Sequence, residues 1–472
     1  MSNLRSQITQ LTRPGRRARL IVAVVYCALF FAYVVAVIGI PGTSGHTAGA
    51  VYGVDSARIL AAAKHAFWAP TAGPAAYMIL VQASARRITV ICAVQALLYA
   101  ASWLWAADEL RRAVDHRILR VAGPLVLLGL SLTPELMLWT VTIGTESLSI
   151  ALVVATIAAL MRLIRTPSRG AVIAFVALIV LDAFTRDTNL ILAGTVAVVA
   201  IVIAVRQAPL RAGALVVAFV CILAAVVSNR MASGADPPRW YYPLQDVVVV
   251  RVLPHSDARD FFAARGMPVN AALMGVARNY FGGYQALTTA PQFATFRAWL
   301  RDKGLATYES YLVQHPQKLV QVPFDGRREI LEPSVTGAIV FSGGRARPAR
   351  VFGVLGWLTF WRDADVILVW SLAALGAATW LAVRRRRDRL LLMALGAALI
   401  TAVGHAVLAY LGDALEAGRH AITADAQWRA ALWMLTFVVV DRIVARTQER
   451  AAADATPGEG APAVGELSSS GA

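Results

Sequence analysis

The sequence predicts an all-α integral membrane protein of about ten transmembrane helices with long extracytoplasmic loops. Hydrophobic residues make up 58% of the 472 positions and charged residues only 15%, a balance outside the range of soluble domains. Apolar runs recur from one end to the other, and about 20 such residues are enough to cross a hydrocarbon core about 30 Å thick. The basic residues fall in clusters between these runs, so the formal charge of +17 reflects membrane topology and not a nucleic-acid partner.

Taken in order, the apolar runs place helices at 20–40, 88–106, 120–140, 147–163, 171–185, 189–205, 212–228, 364–383, 390–411 and 424–443. The first follows a basic leader and has no small-residue cleavage site, which predicts a retained anchor. With a cytoplasmic amino terminus, Arg13 to Arg19, Arg111 to Arg117, Arg162 to Arg169, Arg206 and Arg211, Arg384 to Arg387, and Arg442 to Arg450 all fall in cytoplasmic connections. The short opposite loops at 141–146, 186–188 and 412–422 carry few basic residues. The positive-inside rule therefore places both termini in the cytoplasm of a multi-pass protein of the cell membrane.

This plan divides the chain into an amino-terminal membrane module (1–228), an extracytoplasmic and mostly helical domain (229–363), a carboxy-terminal membrane module (364–443) and a disordered cytoplasmic tail (444–472). A first outer loop spans 41–87. The segment FATFRAWLRDKGLATYESYLVQHP, Phe293 to Pro316, has helical spacing between Pro and Gly breaks. VFGVLGWLTFW, Val351 to Trp361, is too short to span and rich in aromatics, which suits the interface. Trp240, Tyr241 and Tyr242 beside Arg239 suit the headgroup belt, or stacking on sugar faces. The cysteines Cys27, Cys92 and Cys221 sit inside apolar runs, as packing residues.

With that topology, ionisable side chains from distant segments gather on the outer side of the bilayer. Asp55 lies in the first outer loop, Glu135 and Glu146 flank the third hairpin, and Arg186 and Asp187 close helix five. Asp413, Glu416, Arg419 and His420 follow helix nine. Charges at membrane depth are costly and mark sites or water-filled cavities; the alternative is ordinary loop charge facing water. Asp413, Glu416 and His420 are spaced three and four apart and share one face if the segment is helical. A divalent cation such as magnesium or manganese can use such a set, or the carboxylates hold Arg419 and His420 in place; the second reading is favoured. Asp182, inside helix five, is placed to pair with Arg186 one turn later.

The order and sidedness of these residues resemble the GT-C class of polytopic glycosyltransferases, which take sugars from polyprenyl-phosphate carriers at the outer face. The first outer loop, GVDSARILAAAKHAFWAPTAGPAAYMILV, puts Asp55, Pro74 and Tyr77 where that class carries its acidic residue and its Pro-Tyr segment. The hairpin LTPELMLWTVTIGTESLSIAL places Glu146 similarly, and AFTRDTNLIL places Arg186. YESYLVQHPQKLVQVP is similar to an outer-loop segment of the class, which would put Tyr308, Tyr311 and His315 at the border of the acceptor groove; the alternative, favoured by the residues themselves, is an amphipathic helix stopped by Pro316. Two departures stand out. Ala72 and Gly73 lie where an Arg is common, and a paired acidic motif beside Asp55 is absent.

The resemblance implies transfer of a hexose or pentose from a polyprenyl-phosphate donor to an envelope glycan, lipid or protein. Such a step needs a carboxylate to accept the proton of the acceptor hydroxyl, the role given to Asp55. Arg186 and Arg419 would bind the departing phosphate, since guanidinium pairs bidentately with it. No Walker-type loop or dinucleotide fingerprint occurs, so the donor would come from the membrane. A transporter or flippase of lipid-linked sugars is commonly built from internal repeats, whereas seven helices, one large loop and three helices form an asymmetric plan. A non-catalytic scaffold of envelope assembly is the third reading.

Overall fold

The computed structural model describes residues 14–35, 59–60, 75–186, 189–190, 193–198, 201, 211–233, 237–238, 240–332, 350–385, 388–414 and 417–455. Among them every regular element is helical and no strand occurs. The longer membrane-module helices are α1 (Pro14–Tyr33), α2 (Ala75–Ala83), α3 (Ile88–Ala113), α4 (Leu119–Ser131), α5 (Thr145–Arg165), α6 (Arg169–Ala183), α7 (Arg211–Ser233), α8 (Ala364–Arg384), α9 (Arg389–Gly412) and α10 (Ala417–Ala455). Four of them, α3, α5, α8 and α9, are long and apolar enough to cross a membrane. A fifth span forms if α4 and the segment Pro134–Val141 count as one, bent by 55° at the break. The chain is thus an all-helical protein with the helices of a membrane protein.

Local sequence explains the ends of these helices. Ser168 caps α6 by accepting from the Ala171 N–H at 3.2 Å, and Asp363 caps α8 through the N–H groups of Asp365 and Val366 at 3.0 and 3.1 Å. Pro134 restarts the chain after α4 at the first position of a short helix, where its missing N–H costs nothing. At the far end of α8 the Arg389 guanidinium donates to the Ala382 carbonyl at 2.9 Å, which satisfies one of the last carbonyls of that helix.

The main core is built from α1, α3, α4, α5, α8, α9 and α10, with Trp103, Tyr99 and Phe30 among its fully buried side chains. A second cluster joins α6 and α7 around Phe175, Ile179 and Cys221. All three cysteines are free, and the Cys92 thiol donates to the Val141 carbonyl at 3.3 Å.

Short helices fill the large loop from Tyr241 to Leu331, followed by Arg350–Thr359, which packs on α4 and leaves Trp357 outward. The first of these stretches has a core of its own, with Phe262, Leu273, Leu287, Phe293 and Leu300 buried. This group of short helices, called the outer domain for its place over one end of the bundle, closes on the carboxy-terminal end of α9. Arg251 donates to the Tyr410 carbonyl and lies 3.8 Å over the Tyr410 ring, while the Tyr308 hydroxyl donates to the Leu411 carbonyl at 2.8 Å. The last carbonyls of a helix lack intrahelical partners, so two side chains of the outer domain cap α9 from above. Gly326 permits the approach, because a Cβ there would stand 2.0 Å from the Tyr410 ring.

A buried Arg429 fastens the other side of the loop. It pairs with Asp425 through both carboxylate oxygens at 3.0 Å and donates to the carbonyls of Leu331 and Trp361 at 2.6 Å, and also to that of Phe360. Five donors on a planar fork let one side chain hold two separate loop ends.

Candidate functional site

The site is built from the loop that precedes α5. Gly144 is extended there, and its N–H donates to the Tyr77 hydroxyl at 2.9 Å. Tyr77 lies within 3.5 Å of the Gln95 amide oxygen, and the Gln95 amide in turn donates to the Thr142 carbonyl at 3.1 Å. Tyr77 on α2 and Gln95 on α3 thereby fix the loop and place Glu146 in the first turn of α5. An acidic residue is favoured at that helix end. Glu146 is 1% exposed.

Two guanidiniums meet this carboxylate. Arg419 Nε donates to Glu146 Oε1 at 2.8 Å, and Arg186 Nη2 lies 3.8 Å from the same oxygen. Arg186 leaves the end of α6 and also donates to the Thr423 hydroxyl at 3.4 Å. Its Nη2 contacts His420 Nδ1, and His420 Nε2 lies 3.1 Å from Asp413 Oδ2. Guanidinium has no acceptor, so Nδ1 accepts, the ring proton sits on Nε2, and Asp413 orients the imidazole. Arg186, Arg419 and Asp413 are all buried or nearly so, and His420 is partly open.

Five residues assigned from sequence, Glu146, Arg186, Asp413, Arg419 and His420, therefore form one connected cluster. Tyr77 supports it from behind. Tyr308 lies beside it, capping α9 two residues before Asp413. His315 does not join it: the ring packs 4.6 Å from Tyr311 and 5.5 Å from Phe261, inside the aromatic core of the outer domain. Glu135 departs from the expected cluster, because its carboxylate pairs with Arg362 on the far edge of the loop. The Asp182 carboxylate accepts from Asn189 at 2.8 Å, and Asn189 also reaches Ser149 at 2.6 Å. Asp55, Pro74, Asp187, Arg239 and Glu416 lie outside the described residues.

Sequence reasoning missed Asp246 and Tyr280. Asp246 is nearly buried in the helix Tyr241–Val247, which packs on α9, and accepts a hydrogen bond from the Tyr280 hydroxyl. Burial pushes its carboxyl up to about 7, against the Tyr280 hydrogen bond and with help from the negative charge of Asp413. His405 on α9 was also missed; it is fully enclosed close to Arg186. A single His inside an apolar helix was the available signal.

The cluster holds opposite charges in a low-dielectric place, where any group it binds interacts strongly. Both Arg186 and Arg419 rest on one oxygen of Glu146, while Glu146 Oε2 has no hydrogen-bond partner among the described residues. Guanidinium is the side chain best shaped to meet a phosphate or carboxylate through two parallel hydrogen bonds. Among the described residues no three His, Cys, Asp or Glu side chains are grouped to hold a metal ion, and Asp413 already serves His420. Compared with protein-family models, with curated proteins and with solved structures, the chain finds no match in any of the three.

Proposed function

We propose that this chain is a GT-C-like membrane glycosyltransferase that moves a sugar from a polyprenyl-phosphate carrier to a cell-envelope acceptor at the extracytoplasmic face. The observation that supports it is the buried pair of guanidiniums, Arg186 and Arg419, gathered on Glu146 at the end of the bundle covered by the outer domain. In this reading the membrane carries about ten spans, with α1, the bent α4 segment, α6, the apolar run 189–205, α7 and α10 crossing beside the four long apolar helices, and both termini are cytoplasmic.

The reaction needs three things from the protein. The acceptor hydroxyl oxygen attacks the anomeric carbon, the bond from that carbon to the phosphate oxygen breaks, and the phosphate leaves with the electron pair. Asp55 takes the hydroxyl proton. Arg186 and Arg419 receive the charge that develops on the phosphate, and Glu146 holds them aligned before the donor arrives. Asp413 and His420 keep Arg186 in register. Envelope glycan, lipid and protein all offer a suitable hydroxyl.

The test uses sealed vesicles containing the full chain, with a polyprenyl-phosphate sugar supplied to the outer face. Product is expected without translocation of the donor, and Asp55→Asn should abolish it while the protein remains inserted and folded. Unchanged transfer by that variant removes the assignment of the base. Product that forms only when donor is delivered from the inner side returns the transporter or flippase reading, and no product from either side leaves the scaffold.

A further inference from the structure

At the end of the bundle away from the outer domain, α8 and α10 finish side by side, joined by an ion pair of 2.8 Å between Arg385 and Glu449. Trp380, one turn before the end of α8, is 42% exposed. Two guanidiniums converge on its ring: Arg384 of the same helix at 4.8 Å from the centroid and Arg446 of α10 at 4.7 Å. The ring attracts both but neutralises neither.

The nearby acids are committed elsewhere. Glu449 accepts from Arg385, and Asp388 lies 3.0 Å from Arg442. Among the described residues neither Arg384 nor Arg446 has a carboxylate within ion-pair reach. Desolvation first, and then the like charges of Arg450, Arg384 and Arg385, lower the pKa of Arg446, with Glu449 opposing them. The sequence adds Arg386 and Arg387 to the same connection.

The positive-inside bias accounts for basic residues in this turn. It does not require two of them, from different helices, to meet on one indole. Above Trp380 the face of α8 is apolar and outward: Val369, Leu372, Gly376, Trp380 and Val383 recur at helical spacing. A Cβ at Gly376 would meet nothing, so the face has a notch there. An acyl chain lying along that strip would carry its headgroup to the Trp380 level, the depth favoured by indole side chains.

We propose that Arg384, Arg446 and Trp380 bind the phosphate of an anionic phospholipid in the leaflet at this end of the bundle. The apolar strip selects a lipid over a soluble phosphate, because only a lipid fills both parts. The site is separate from the Glu146 cluster and does not depend on what that cluster does.

Native mass spectrometry of the delipidated full chain, titrated with phosphatidylglycerol or phosphatidylcholine, reads the outcome. Wild type should retain at least one phosphatidylglycerol preferentially, and R384Q/R446Q should bind it roughly thirty-fold more weakly. R385Q, which removes an Arg already paired with Glu449, should keep it. Equal retention of the two lipids by wild type, a reading that needs no variant to fold, overturns the proposal. So does unchanged retention in R384Q/R446Q, or displacement of the lipid by inorganic phosphate alone.

Discussion

Arg419 Nε donates to Glu146 Oε1 at 2.8 Å across 273 positions of sequence, tying the first turn of α10 to the first turn of α5. Because Arg186 draws on the same oxygen, Glu146 is the counter-ion of two enclosed cations. Glu146→Gln should destabilise the protein by about 3–5 kcal/mol, since it removes the carboxylate charge that both guanidiniums share in a dry place. Glu146→Gln combined with Arg419→Gln should recover part of that loss. Thermal unfolding in detergent measures both, and a double variant no better than the single one would contradict the shared role.

Gly144 has no room for a side chain. A Cβ there would stand 2.5 Å from Glu146 Oε2, closer than real atoms approach. Gly144→Ala should push the carboxylate away from Arg419 at a cost of about 1–3 kcal/mol. The hydrogen bond from the Gly144 N–H to Tyr77 should survive, because the backbone is already extended. A melting temperature equal to wild type would show that Glu146 has space to retreat.

Asp246 should make stability depend on pH in an unusual direction for a carboxylate. Its folded pKa, about 7, lies above the ordinary value of 3.8, so the folded chain holds a proton that the unfolded chain releases. The stabilisation is complete below about pH 4 and is lost as pH rises through about 7. The melting temperature of wild type should therefore fall between pH 5 and pH 8 more steeply than that of Asp246→Asn. Parallel curves for the two proteins would rule out this linkage.

Arg429 is a case where lysine is no substitute. One ammonium cannot reach Asp425 and the carbonyls of Leu331, Phe360 and Trp361 together, so Arg429→Lys should leave buried acceptors unmet and cost about 2–4 kcal/mol. Hydrogen exchange should accelerate at residues 327–331 and 359–361, with little change near Tyr410. Uniform acceleration through the bundle would assign Arg429 to general stability instead.

The helical architecture was readable because hydropathy is averaged over long runs, and short breaks barely alter it. Glu146, Arg186, Asp413, Arg419 and His420 were readable together for a related reason: helix ends on one side of a bilayer have few places to go. Glu135 was read into the same group yet pairs with Arg362, just past the break where the chain bends by 55° after α4. The contacts of the outer domain carried no such constraint. Asp246 and Tyr280 are 34 positions apart in irregular chain, and nothing periodic pairs them. Only the resemblance put His315 at a groove; the residues themselves read as an amphipathic helix, and the ring packs on two aromatic partners.

α10 runs unbroken for 39 residues, about 58 Å, without a proline and with no glycine after Gly418. It bears Arg419 at one extremity and Arg446 toward the other. With neither a proline nor an inner glycine to bend it, one continuous helix thus places a guanidinium at each end of the bundle, so the spacing between the two ends is fixed by the length of a single element.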